Sequence, residues 1–316
     1  MQPSGDAAAS FRCYVIGNES LAIQCADILR ARGHAVLGIV SSDEGIGKWA
    51  QQSGVARIAP GKGLADRLKA NDPEFDWLFS IANLTLIPED VLALPKKGAI
   101  NFHDGPLPRY AGLNAPMWAI LHGETQHGIS WHVIEGGVDE GDLLAQRTFA
   151  VGESDTSVVL NTRCYEAAIE SFTELVDQLA SGSETRTKQD LSQRTYFARY
   201  DRPAAMCTID WAQPAAQIAT LVRALDFGPR YANPVGAAKT QTAADPILLP
   251  EVAFGSAESG EEPGTILSVE DGAIEVATGE GTLRFPRATC VNGLPLTDAA
   301  LAKLGVVAGA RLPALD

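Results

Sequence analysis

The sequence has no uninterrupted apolar run of the roughly 18 residues that a membrane-crossing helix needs. It is also short of basic residues. Twenty-five lysines and arginines stand against 39 acidic residues, for a net charge of −14. That balance argues against broad electrostatic binding to nucleic acid or to an anionic lipid surface. Cysteine is scarce as well. Cys13, Cys25, Cys164, Cys207 and Cys290 are far apart and odd in number, and no CxxC or Cys/His pair has metal-ligand spacing. A disulfide framework and a zinc site are thereby excluded, and thiols in a reducing, cytoplasmic compartment are expected. The opening MQPSGDAAASFR lacks a basic start followed by an apolar stretch, so no secretory signal is expected and the segment reads as a short loose tail. GNESLA, after the first strand pattern, lacks the GxGxxG spacing of a dinucleotide site.

What is present fits a globular protein: 316 residues, 46% apolar and 20% charged, enough for two domains with real cores. From residue 11 to about 180, short β-rich runs alternate with helical patterns. CYVIG, AVLGIVSS, DWLFSIA and GAINFH read as strands. SLAIQCADILRARGH, GIGKWAQQSG, LADRLKAN and PEDVLALP read as helices between them. APMWAILHGE is helical, HGISWHVIE and DLLAQRTFAV are extended, and a long helix follows to about 182. This alternation predicts a Rossmann-like, mostly parallel sheet covered by helices. Ligands in such folds bind beyond the carboxyl ends of the strands. Residues 183–204 read as a polar, basic connector over the surface. From 205 to 316, one helix (PAAQIATLVRALD) precedes short strands split by Gly/Pro turns, which suggests a small β-barrel or sandwich, with a smaller OB-like β-barrel domain the expected form. GSAESGEEPG reads as a flexible acidic loop.

The chemistry concentrates in NFHDGPLPRYAG, residues 101–112. Asn101 and His103 lie on one face of an extended segment, because strand side chains repeat with period two. Both sit at a strand end. Asp139 lies in the glycine-punctuated EGGVDEGD loop, where glycines let the backbone turn tightly and bring a carboxylate towards a neighbouring strand end. Singly, each has a plain structural role open to it: a turn cap, a backbone partner, a satisfied core histidine. Together they are more suggestive, since four of the five histidines (His103, His122, His127, His132) fall within thirty residues. His122 and His127 flank a helix–strand turn and are expected at the surface, and Trp131 in the core. No i,i+4 histidine pair sits in a clear helix, and no metal is expected.

These stretches resemble the 10-formyltetrahydrofolate-dependent formyltransferases. In that family a strand ends in Asn-x-His before a Pro-containing loop with Tyr/Arg-x-Gly. A His-x-Gly-[Val/Ile]-[Thr/Ser]-x-His strand and a Gly-x-Asp-x-Gly loop follow. Here they occur as NFHDGPLPRYAGLNAPMWAIL, HGISWHVI and GGVDEGDLLAQ. Leu107-Pro108 keeps the end of the family's Ser-Leu-Leu-Pro, whose start is replaced by Asp104-Gly105-Pro106. The resemblance implies a catalytic domain over 11–182, a family C-terminal barrel over 205–316, and Asn101, His103 and Asp139 as the catalytic set. It implies a folate pocket walled by Asn83, Leu84 and Ile87 on one side and by Gly136, Val138 and Asp142 on the other. Tyr110, Gly112 and His132 would lie on the substrate side. Ordinary core packing is nearly as good an account of NLTLIP.

The implied reaction suits these residue types. An amine attacks the formyl carbon carried on N10 of the folate, and the His103 and Asn101 N–H groups would stabilise the oxyanion. Asp139 would orient His103, support its protonation and take part in the proton transfer directly or through water, with the formal base left open by the sequence. The implied cosubstrate is 10-formyltetrahydrofolate, with no metal. HDGPLPRYAGLNAPMWAI and RALDFGPRYANPVG look most like formyltransferase domains of nonribosomal peptide synthetases. The acceptor would then be a carrier-bound aminoacyl group, with a peptidyl carrier or adenylation domain as partner. A nucleotide-linked amino sugar and hydroxyornithine are alternatives. Methionyl-tRNA is disfavoured, because residues 205–316 hold 13 acidic and seven basic residues. A non-catalytic folate-binding or docking module and a hydrolase complete the set.

Overall fold

The computed structural model describes residues 9–229, 231, 233–255 and 260–315. Residues 1–8 of the expected tail, 256–259 of the expected acidic loop, and 230 and 232 of RALDFGPRYANPVG lie outside them. The chain divides into two compact units. The first comprises Met1–Ala115, Gln126–Ala150 and Thr162–Phe197, the second Pro116–Thr125, Val151–Asn161 and Ala198–Asp316.

In chain order the elements up to the long helix are β1 (Arg12–Ile16), α1 (Ser20–Ala31), β2 (Ala35–Val40), α2 (Glu44–Ser53), β3 (Ala56–Ile58), α3 (Leu64–Asn71), β4 (Trp77–Ser80), α4 (Glu89–Leu92), β5 (Gly98–His103), β6 (Ala111–Gly112), α5 (Ala115–Leu121), β7 (Gln126–Val133), β8 (Leu143–Ala150) and α6 (Ser157–Ser181). Then follow β9 (Tyr196–Phe197), α7 (Ala215–Ala224), β10 (Lys239–Thr240), β11 (Ile247–Leu248), β12 (Ala253–Phe254), β13 (Ile266–Glu270), β14 (Ala273–Ala277), β15 (Thr282–Phe285) and α8 (Asp298–Lys303).

The first unit is built on a seven-stranded sheet ordered β3-β2-β1-β4-β5-β7-β8. The first five strands run parallel, while β7 is antiparallel to both β5 and β8. The central strands are buried on both faces, which is why CYVI and WLFS read as continuous apolar runs rather than alternating ones. Period two sorts them: Cys13 and Val15 enter one core cluster, Tyr14 and Ile16 the other. The first cluster takes the apolar stripe of α1 (Leu21, Ala22, Cys25, Ala26, Leu29) and Phe172, Leu175 and Val176 of α6. Trp131 is fully buried there. Its ring stacks on Phe172 at 4.7 Å and its Nε1–H donates to Ser171 Oγ at 3.0 Å.

The second unit carries a four-stranded antiparallel sheet, β12-β15-β14-β13, and a two-stranded one, β10-β11. Isolated bridges such as Leu248 with Thr289 extend these ladders. The unit is thus antiparallel and β-rich, as the spacing of its turns predicts. No helix among the described residues is long and apolar enough to cross a membrane.

The short elements β3, β6, β9, β10 and α8 are absent from the sequence reading. Of these, β6 and β9 matter most, since they pair in parallel, Ala111 with Tyr196 and Gly112 with Phe197. Gly112 has φ +96, and a Cβ there would lie 2.1 Å from the Phe197 carbonyl oxygen. Gly112→Ala should therefore destabilise the protein by about 2 kcal/mol or more, combining backbone strain with a forced shift of β9. Urea unfolding checks this, and an unchanged midpoint would contradict the tight pairing.

Candidate active site

The site grows from the β5–β7 ladder. Antiparallel pairing sets Asn101 opposite His132 and His103 opposite Ser130, so the four side chains share one sheet face. Ser130 fixes the loop that leaves β5. Its hydroxyl donates to the Gly105 carbonyl at 2.8 Å and accepts from the Leu107 N–H at 3.1 Å and from Gln146 Nε2 at 3.0 Å. That loop curls back over His103. The Tyr110 carbonyl accepts from His103 Nε2 at 2.7 Å.

Asp139 reaches the ladder from the loop after β7. Its backbone is left-handed, with φ +58. Its carboxylate is only 10% exposed, and lies 3.6 Å from His103 Nδ1 and 3.3 Å from His132 Nε2. The Gly112 N–H donates to Asp139 Oδ2 at 2.8 Å. Burial by itself would push this carboxyl up. The hydrogen bond to His132, the charge of His103, the Gly112 N–H and the charge of His132 outweigh burial and hold it down at about 2. Asp139 is therefore an anion at any physiological pH.

His132 is the shared partner. Its Nδ1–H donates to the Val133 carbonyl at 2.8 Å, which leaves Nε2 between Asn101 Nδ2 at 3.2 Å and Asp139 Oδ1 at 3.3 Å. An unprotonated Nε2 accepts from the Asn101 amide, whereas a protonated one donates to Asp139. Both nitrogens of His103 face oxygen acceptors, Tyr110 O on one side and the carboxylates on the other. Asp104, which the sequence reading did not single out, is the second of those carboxylates. Its Oδ1 lies 3.9 Å from His103 Nδ1.

The catalytic residues expected from sequence thus converge, with His132 drawn in as a fourth member. Other expectations fare differently. The Tyr110 ring is buried, stacked on Phe197 at 5.9 Å, so only its backbone faces the site. Gly112 contributes its N–H and not open space. His127, expected at the surface, is buried, and its Nε2 donates to the Asp104 carbonyl at 2.8 Å. Leu84 and Leu86 of NLTLIP are 68% and 78% exposed, which removes ordinary core packing as their explanation. Asn83 holds that loop by donating to the Thr85 carbonyl at 2.8 Å, and Ile87 packs against the core cluster that holds Tyr14 and Ile16. In the loop after β7, Val138 is exposed beside Gly136 and Gly137. The Asp142 carbonyl accepts from the Val133 N–H and closes the Asp139 loop. Among the described residues no group of three histidine, cysteine, aspartate or glutamate side chains is arranged to hold a metal ion.

Residues 44–176 match the family model described as formyl transferase, and residues 203–297 match its C-terminal domain model. The chain belongs to the formyl transferase family. Three solved structures share the formyltransferase fold. HypX from Aquifex aeolicus, in complex with tetrahydrofolic acid, is 18% identical with a TM-score of 0.69, over 95% of this chain and 49% of that one. The chain thus spans about half the length of HypX. WlaRD, a sugar 3N-formyl transferase with dTDP and 5-N-formyl-THF, is 17% identical with a TM-score of 0.66, over 90% of this chain and 99% of that one. The N-formyltransferase from Helicobacter canadensis, with folinic acid and dTDP-3-aminofucose, is 16% identical with a TM-score of 0.64, over 87% and 98%.

The depressed Asp139 carboxyl carries a pH signature. A carboxyl whose folded value lies below its ordinary 3.8 stabilises the fold above that value. The contribution disappears as pH falls through about 2. Asp139→Asn should therefore cost on the order of 2 kcal/mol near neutral pH, hold that deficit down to about pH 4, and match the wild type near pH 2. Urea unfolding at a series of pH values reads this directly. A deficit that persists undiminished at pH 2 would refute the ion pairs.

Proposed function

We propose that this protein transfers the formyl group of 10-formyltetrahydrofolate to a primary amine. The observation that carries the proposal is the cluster at the end of β5, in which His103 and His132 face one ionised, largely buried Asp139 and Asn101 bonds to His132. The matched family and the folates bound in solved structures of the same fold supply the donor's identity.

The amine nitrogen attacks the formyl carbon, forming a C–N bond and placing negative charge on the formyl oxygen. Asn101 is the fitting donor to that oxyanion. One amide hydrogen is used on His132, and the residue is half-buried, so the second hydrogen can face a ligand. A carboxyl held at about 2 is a poor base, so Asp139 serves to orient and charge-stabilise the imidazoles. His132 takes the ammonium proton on Nε2, because both nitrogens of His103 already face oxygen acceptors. The C–N10 bond then breaks, N10 accepts a proton, and tetrahydrofolate leaves. The exposed Leu84 and Leu86 and the Gly136–Val138 turn offer two walls of a partly apolar slot for the pterin.

For the acceptor we favour an aminoacyl amine held on a peptidyl carrier, on the likeness of 103–120 and 223–236 to synthetase-borne formyltransferase domains. The net acidity of 205–316 argues against tRNA. Nucleotide-linked amino sugars are the second reading, favoured by the sugar N-formyltransferases of the same fold. Incubating the protein with 10-formyltetrahydrofolate and a panel of both amine classes discriminates them. Amine-dependent folate release supports transfer, release without amine indicates a hydrolase, and no release indicates a docking module.

His103→Ala should abolish transfer while the chain still folds, at an unfolding midpoint lowered by the loss of one partner of Asp139. Asn101→Ala should lower kcat about 100-fold, the usual cost of one lost oxyanion donor. Near-normal kcat in either variant would overturn the site. Leu84→Asp should raise the folate KM about tenfold with kcat little altered, since it charges one pocket wall. An unchanged KM would remove that loop from the pocket.

A further inference from the structure

By sequence, 183–204 is a polar connector. In the structure, its part from 186 to 197 runs along both halves of the site. Arg186 pairs with Glu135 at 3.4 Å. Thr187 and Leu143 exchange backbone hydrogen bonds of 2.8 and 2.9 Å. Arg194 Nη2 donates to the Val138 carbonyl at 2.9 Å, and its Nε lies 3.6 Å from Glu140. On the other side, Thr195 Oγ1 accepts from the Tyr110 N–H at 2.7 Å, and β9 pairs with β6.

The central contact is Gln189. Its Nε2 donates to two carbonyls at once, Asp139 at 2.9 Å and Gly141 at 2.7 Å. A glutamine amide has two N–H donors, and both are used here. The side-chain oxygen is buried without a hydrogen-bond partner among the described residues. The donors are therefore what the position requires. They satisfy the carbonyls at and just beyond a non-glycine residue in the left-handed region, φ +58, a conformation that persists only when its surroundings fix it.

We propose that Gln189 is the positioning residue for the Asp139 carboxylate. By tying down the backbone of the Asp139 turn, it sets the distances from that carboxylate to His103 and His132. The inference rests on the formyl-transfer reading above. Arg194 and Thr195 serve the same strap, one on the Asp139 loop and one on the Tyr110 turn. A displacement of about 1 Å at such a site can cost about 100-fold in rate, which is why a residue that touches no substrate matters to it.

The test uses the whole chain with Gln189→Ala, Gln189→Glu and, as a control on the same strap, Gln193→Ala. Gln193 is exposed, and its amide donates to Ser192 Oγ at 3.4 Å. Two readouts are taken: amide hydrogen exchange without ligand, and steady-state formyl transfer. In Gln189→Ala, exchange over 134–142 should quicken about tenfold while α1 is unchanged, and kcat should fall at least tenfold with both KM values within about threefold. Gln189→Glu should be worse at pH 8, where a carboxylate faces two carbonyl oxygens. It should recover relative to the wild type towards pH 6, as the carboxyl gains a proton and donates one bond. Gln189→Ala should show no such recovery, and Gln193→Ala should match the wild type in both readouts. Unchanged exchange over 134–142 in Gln189→Ala overturns the proposal, and so does a kcat within twofold of the wild type despite a loosened loop. The exchange result decides the positioning even in a protein that transfers no formyl group, so the two failures are told apart.

Discussion

A carboxylate removed from water stays charged only if donors surround it. Asp139 has three: the Gly112 N–H, His103 and His132. Each comes from a different part of the first unit, and each constrains that part. Gly112 must sit at β6 with its N–H turned inward. His132 must lie opposite Asn101 on β7. His103 must end β5 with its far nitrogen on the Tyr110 carbonyl. The charge at Asp139 and the shape of the loops around it are therefore one requirement seen from two sides.

The sheet meets that requirement by a change of strand direction. Five parallel strands deliver β5 with its carboxyl end free, the usual place for a ligand in such a sheet. Antiparallel β7 then brings its own residues alongside that end in one-to-one register. Two imidazoles and an amide become neighbours through ladder pairing alone. Ser130, in the same register, anchors the 104–108 loop, so the residues after His103 fold back over it. Fixed strands hold the imidazoles and a strapped loop holds the acid.

Much of this was legible in the residues. The alternation of CYVIG, AVLGIVSS, DWLFSIA and GAINFH with amphipathic helices marks the parallel sheet, because buried strands need continuous apolar runs and their crossovers need striped helices. Asn101 and His103 declare a shared face through period two. What escaped is equally physical. Two-residue strands such as β6 and β9 have no periodicity to detect. His127 is polar, but the carbonyl that satisfies it belongs to a residue 23 positions away. Leu84 and Leu86 look like core side chains, and only the fold shows that they are exposed.

The sequence by itself determined the fold class and the family, since both rest on local patterns: hydrophobic period, turn residues, and the spacing of Asn101, His103, His132 and Asp139. Tertiary structure decided which of those groups touch, that His132 Nε2 lies between the Asn101 amide donor and the Asp139 carboxylate, and that a polar connector becomes a clamp through Gln189. Those outcomes depend on contacts across roughly 30 to 85 positions of chain, and no local pattern encodes a partner at that separation.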